Sequence, residues 1–422
     1  MSNWLENAVA RADAQAERGS DWLAPKREAS LKLLREAKVP TRKTEAWRYT
    51  PVRVLDQVNV SDSVTATVKA ESIAGLESLD LVFVNGEFDV AQSHSELPAG
   101  VSIVRIKNAD AAAQIWALNA FSNVKPTRHL FGLVNDVLAA DGVLIDVAAG
   151  FEVAQPIRIV NLFTKGAEAH TRVLVRLGEG AKAAVVEQFS GNDASFNTGF
   201  AEFDVAAEAE LEHYRFAMQI DEAISVGGSH FNLGEKSKLN STLIGFGSNL
   251  SRVDIDVTHG GSHAFAKLNV IYLLDGKELF DLHSTIEHAM PHGTTEENVR
   301  GIVADRSRVV FNGRIHIHRD AQKTLAELNN RNLLMSDKAE INTKPELEIY
   351  ADDVKCAHGA TVAELDKQAL YYMQSRGLTR SQAQVMLNFG FINELVEQMP
   401  NEALAEWLRP QLRERFARME VK

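Results

Sequence analysis

A short segment of constant character returns along the middle of this chain. It runs apolar residue, small residue, two polar or small positions, any residue, then apolar again. Copies open on Leu177, Val205, Leu233, Val303 and Met335, and Val147 opens a similar one. From Val147 through Leu177 and Val205 to Leu233 the steps are 30, 28 and 28 residues, and from Val303 to Met335 the step is 32. Between the copies lie short alternating runs such as Leu81-Val82-Phe83-Val84 and Val143-Leu144-Ile145-Asp146-Val147. No unit this short buries its apolar residues alone. Stacking the units makes one continuous core and lets each strand hydrogen-bond to the next coil. The pattern therefore predicts a mainly β fold, a β-helix or solenoid. A β-sandwich, whose strands also recur at short intervals, is the competing reading. The small-residue turn repeated in register favours the solenoid.

Helical spacing appears on both sides of this region. Ser2 can cap a first helix whose Leu5, Ala8, Val9 and Ala12 form a stripe. Pro25 suits the first turn of a second, with Leu31, Leu33, Leu34 and Ala37 as its apolar face and Pro40 as its stop. A further helix is expected near 110–122. After the β region, Thr361 and Glu364 read as a capping box, as do Thr379 and Gln382. Gly377 stands where a helix would end, Asn401 can cap a last helix, and Pro410 is expected to kink or divide it. The layout is a helical region at 1–79, a β-helix core at 80–360 and a helical region at 361–422. The helical regions are expected to close the solenoid's two open ends.

A net charge of −12 argues against a nucleic-acid partner, which needs a basic footprint. No apolar run is long enough to span a bilayer, and no signal peptide is visible, so a membrane is excluded and a cytoplasmic location is expected. The one cysteine rules out an internal disulfide. There is no P-loop and no Gly-x-Ser-x-Gly elbow, and Gly178-Glu179-Gly180 and Gly245-Phe246-Gly247 lack the rest of a dinucleotide fingerprint.

The chemistry-bearing residues are few. His316 and His318 share one face of an extended strand, which suits a metal, but no third ligand is evident. His288 and His292 have helical spacing that Pro291 contradicts, and His259 and His263 flank a glycine turn. Asp254 and Asp256 on one strand face allow a carbohydrate-active solenoid enzyme, and His316 with His318 a metal hydrolase. Cys356 and His358, two residues apart, face the same way at the end of the β region. A lone cysteine is most often a small buried hydrophobe; the adjacent Lys355 could lower a thiol pKa, but the neighbouring Asp352-Asp353 pair works against that.

The stretch Tyr350-Ala351-Asp352-Asp353-Val354-Lys355-Cys356-Ala357-His358-Gly359-Ala360 resembles the C-terminal signature of the SufB/SufD family of iron–sulfur cluster assembly proteins. The likeness runs upstream through Gly313, Ala321-Gln322-Lys323-Thr324 and Asn329-Asn330-Arg331-Asn332-Leu333-Leu334-Met335, and downstream through Leu370-Tyr371-Tyr372-Met373-Gln374-Ser375-Arg376-Gly377. Pro40-Thr41-Arg42-Lys43-Thr44-Glu45-Ala46-Trp47-Arg48-Tyr49-Thr50 is similar to the family's N-terminal marker. Leu325 and Ala357 depart from the pattern, where an acidic residue and a serine are usual.

The resemblance implies a right-handed parallel β-helix between helical regions and a non-catalytic scaffold role. It implies pairing with a SufB-like homologue and a SufC-like ATPase docked on the C-terminal helices. The chain's length and its one cysteine resemble the SufD-type branch. Clusters are held mostly by four thiolates, which this chain lacks. No cofactor is therefore expected to stay bound to the chain alone. The resemblance implies a transient iron–sulfur cluster shared with the partner, with His358 as the metal ligand and Cys356 secondary. Solenoid edges also allow an isolated chain to form a homodimer.

Overall fold

The computed structural model describes residues 3–16 and 22–419, so the expected cap at Ser2 lies outside the described residues. From Leu79 to Ala363 the chain winds between two sheets, one of ten strands and one of nine. From Asp141–Val147 onward successive strands alternate between the sheets, so each strand there pairs with its neighbours a full coil away. The pairs are parallel except Leu79–Val84 with Glu87–Phe88 and Val101–Arg105 with Asp141–Val147, at the start of the solenoid. This is the expected solenoid. Continuous parallel ladders exclude the sandwich.

The ladders set columns of inward residues. Val147, Leu177, Val205, Leu233, His259, His288, Ile317 and Ile349 stack in register, one per coil. Just beyond this column comes a corner with left-handed backbone, at Gly180, Glu208, Lys236, His263 and His292 in successive coils. The copies opening at Leu177, Val205 and Leu233 form that corner. Those opening at Val303 and Met335 form the opposite one, where the chain returns from the ten-stranded to the nine-stranded sheet. The repeat is thus two interleaved corners. Both need a small second residue, because coils touch there: a Cβ on Gly178 would lie 2.5 Å from the Ala149 nitrogen.

The helical regions do not close the ends of the solenoid; they cover its sides. Helices Asn3–Ala16, Ala24–Glu36 and Leu130–Leu138 lie on the outer face of the nine-stranded sheet, packing Leu5, Leu34 and Phe131 against Phe196, Phe200 and Leu250. Helices Arg380–Glu397 and Glu402–Arg418 cover the ten-stranded sheet, setting Ile392, Leu404 and Phe416 against Phe216, Ile244 and Ile302. The reason lies in the strands. In the middle coils apolar residues such as Phe200, Ile224, Phe216 and Ile244 also point outward, beside paired charged ones such as Arg172 and Arg252, so both faces are covered. Among the described residues no helix is long and apolar enough to cross a membrane.

Asp110 caps the helix Ala111–Ala120, and the capping box at Thr379 and the cap at Asn401 form as expected. The helix Glu402–Arg418 runs through Pro410 undivided. Leu33 is 42% exposed, and the buried stripe of its helix is Ser30, Leu31 and Leu34, because Ser30 donates to Asp136 at 2.9 Å. Thr361 does not cap a helix. It continues the strand Lys355–Ala363, and the next helix, Lys367–Ser375, is capped by Asp366. Ladder pairing with Leu325–Leu334 outweighs the local capping pattern there.

Not every inward position is apolar. Glu297 stands in register between Leu268 and Leu328 of the core, and burial pushes its carboxyl up to about 7. Among the described residues neither carboxylate oxygen has a hydrogen-bond partner. An acid whose folded pKa is raised stabilises fully below its unfolded value and loses that contribution as pH rises through the folded one. The loss falls between the ordinary 4.5 and about 7, and is on the order of 3 kcal/mol at about 1.4 kcal/mol per unit. Glu297→Gln should therefore unfold at higher denaturant than the parent above pH 7, with the gain fading toward pH 4.5. Urea midpoints across that range check it.

Candidate functional site

The last strand of the ten-stranded sheet is Lys355–Ala363. It pairs only with Leu325–Leu334, setting Cys356 beside Ala326 and His358 beside Leu328. Ala326 and Leu328 are core residues, so Cys356 and His358 extend inward columns into a coil that nothing further covers. Cys356 is half-buried against that core, whereas His358 is exposed. The shared face read from the sequence is therefore present, at an open end of the solenoid and not under a helical cap.

Burial pushes the Cys356 thiol up, opposed in part by a hydrogen bond from the Ala326 backbone. Lys355 does not lower it. Strand alternation turns Lys355 to the other face, and desolvation dominates. The thiol is held protonated, while His358 presents its imidazole to solvent. Around this end Leu325, Ile349, Tyr350 and Val362 are exposed apolar residues, and the strand Glu340–Ile349 likewise has one free edge.

His316 and His318 do share a face, with rings stacked at 4.4 Å. The ladder adds a residue that sequence spacing alone misses: Glu287, one coil earlier and directly beside His316. Its Oε2 lies 3.4 Å from His318 Nε2 and its Oε1 3.9 Å from His316 Nδ1. The signal was in the coil period, since positions about one coil apart become neighbours.

His259 and His288, each ending a strand, turn inward and stack at 4.1 Å, both within 3.0 Å of Thr295 Oγ1. Burial lowers them to about 4 and about 2, which keeps both neutral. His263 and His292 stack at 4.4 Å on the corner outside. Asp254 and Asp256 do share a face, but it is buried. Asp256 meets His129 at 2.7 Å, His230 at 2.8 Å and Arg128; Asp254 meets Arg252 at 2.8 Å. These pairs fasten the segment before helix Leu130–Leu138 onto the sheet, so no carboxylate-lined groove exists there. Arg252 also lies 4.0 Å over the Trp47 ring and bonds Asp281, which accepts from Thr50 at 2.6 Å. The segment 40–50 is thereby locked against the solenoid.

A family model described as the SufBD core domain of the SUF system for FeS cluster assembly matches residues 161–391, and one for the SufBD protein N-terminal region matches residues 9–159. The iron-sulfur cluster assembly protein SufD of Escherichia coli (strain K12) is 31% identical over 405 residues, covering 93% of each chain. An iron-sulfur cluster assembly SufBD family protein of Synechocystis sp. is 27% identical over 409 residues, 92% of this chain and 90% of that one. SufD of Bacillus subtilis (strain 168) is 35% identical over 108 residues, 26% of this chain and 25% of that protein.

Proposed function

The chain belongs to the SufB/SufD family of the SUF iron–sulfur cluster assembly system, and we propose that it is the SufD-type, non-catalytic scaffold subunit of a complex with a SufB-like homologue and a SufC-like ATPase. It acts in the cytoplasm. The nascent cluster, which is cargo and not a resident cofactor, forms at the interface with the homologue. His358 is this chain's ligand to it, and Cys356 assists.

One observation carries the reading: Cys356 and His358 stand on inward columns at the uncovered end of the solenoid, beside a free strand edge. A partner solenoid that adds a strand there covers the same two residues. The other thiolates must come from that partner, because this chain has one cysteine. His358 leads because its exposed imidazole needs no desolvation to meet iron, whereas the Cys356 thiol must first lose a proton that burial retains.

Tyr371, Tyr372 and Met386 are exposed on the C-terminal helices and suit an ATPase partner. Helix Arg380–Glu397 packs on the sheet that ends in Lys355–Ala363. Closure of two docked ATPases would strain the cluster interface through that sheet, a two-state switch set by nucleotide.

Capture of the tagged chain from cells that make all three components tests this. The expected complex contains a homologous chain and an ATPase, and carries iron and sulfide. Recovery of the chain alone, or a stable cluster on the isolated chain, would contradict it.

A further inference from the structure

We propose that Glu287, His316 and His318 form a docking site for one divalent first-row transition-metal ion, of the ferrous or zinc class, on the outer face of the nine-stranded sheet. The proposal stands apart from the cluster reading, since Cys356 and His358 lie on the other sheet.

The three side chains each offer a donor atom within 4.8 Å of the others. Ligand bonds of about 2.0–2.2 Å set neighbouring donors about 3 Å apart around one ion, close to the 3.4 Å and 3.9 Å already present. Two imidazoles and one carboxylate, with remaining positions open to water, are a donor set that ferrous and zinc ions take. The cluster is accessible, with side chains 34%, 19% and 43% exposed for Glu287, His316 and His318. The backbone is held. The His318 N–H donates to His288 O at 3.0 Å, and the Tyr350 ring packs edge-on against His316.

Arg314 shares the cluster. It donates to His316 Nδ1 at 3.2 Å and pairs with Glu287 Oε1 at 3.6 Å, while Glu348 grips its guanidinium at 3.0 and 2.7 Å. An incoming ion replaces Arg314 at Nδ1, and Glu348 retains the guanidinium. The other three-residue group, His129, His230 and Asp256, is largely buried, and its carboxylate already bonds both histidines as well as Arg128.

The test is anaerobic titration of the full chain with Fe²⁺, and separately with Zn²⁺, followed by calorimetry. Co²⁺ absorption serves as the ligand probe. One equivalent should bind, and the tighter arm names the ion. Glu287→Gln and His318→Ala should each weaken binding by at least about tenfold, with circular dichroism unchanged. Arg314→Gln should tighten it. The Co²⁺ spectrum should lack thiolate charge transfer, which separates this site from one at Cys356. No binding in either arm, affinity indifferent to the variants, or a thiolate band would overturn the proposal.

Discussion

Replacing Ala360 by proline is expected to leave the chain folded and to abolish its pairing with a homologous solenoid. In a parallel ladder a residue directs its N–H and C=O to the same side, and the next residue directs them to the other. Lys355 donates its N–H to Thr324 at 2.9 Å. Residues 355, 357, 359, 361 and 363 therefore serve the ladder with Leu325–Leu334. The N–H groups of Cys356, His358, Ala360 and Val362 lie on the free edge. Proline at 360 costs no internal bond, removes an edge donor and sets a ring where a new strand would lie. A loss of affinity on the order of 100-fold, or about 2.7 kcal/mol, is expected, with a thermal midpoint close to the parent's. Ala357→Pro, whose N–H faces the ladder, should instead lower the midpoint. Sedimentation of the chain with its homologous partner reads both. Undiminished pairing by Ala360→Pro would show that the partner docks elsewhere.

The solenoid was legible because coil stacking imposes a repeat on the corners, where a small residue and a tight turn are unavoidable. What was not legible was which corner each copy occupied. Leu177 and Val303 open the same local pattern at opposite corners, since both turns obey the same sterics. The placement of the helices was also hidden. Their stripes mark that something is buried, but only the outward apolar residues, such as Phe216 and Ile244, say against what. At Thr361 a valid local capping pattern lost to a ladder set by residues a coil away.

The candidate site divides the same way. Strand alternation alone places Cys356 and His358 on one face. That the face is uncovered follows only from the sheet order, because the covering helices lie on the sides. Glu287 joins His316 and His318 only through register across one coil. The buried acid at Glu297 has no sequence mark at all, being one glutamate among many until its ladder partners, Leu268 and Leu328, prove to be core residues.

His358→Ala in the assembled complex is expected to abolish cluster formation while leaving the complex intact. His358 is exposed, so its removal opens no cavity and should change stability little. The loss would therefore report chemistry and not folding. Cys356→Ala should have the smaller effect, since its thiol is half-buried against the core and held protonated. The decisive measurement is iron and sulfide incorporated per complex, followed by absorption during anaerobic assembly with ATP, for the parent and the His358→Ala variant at matched complex concentration. The account predicts a variant that assembles with both partners and forms at most about a tenth of the parent's cluster, the lower bound usual for losing a metal ligand's support; cluster formation at the parent's rate and yield by an intact His358→Ala complex would contradict it.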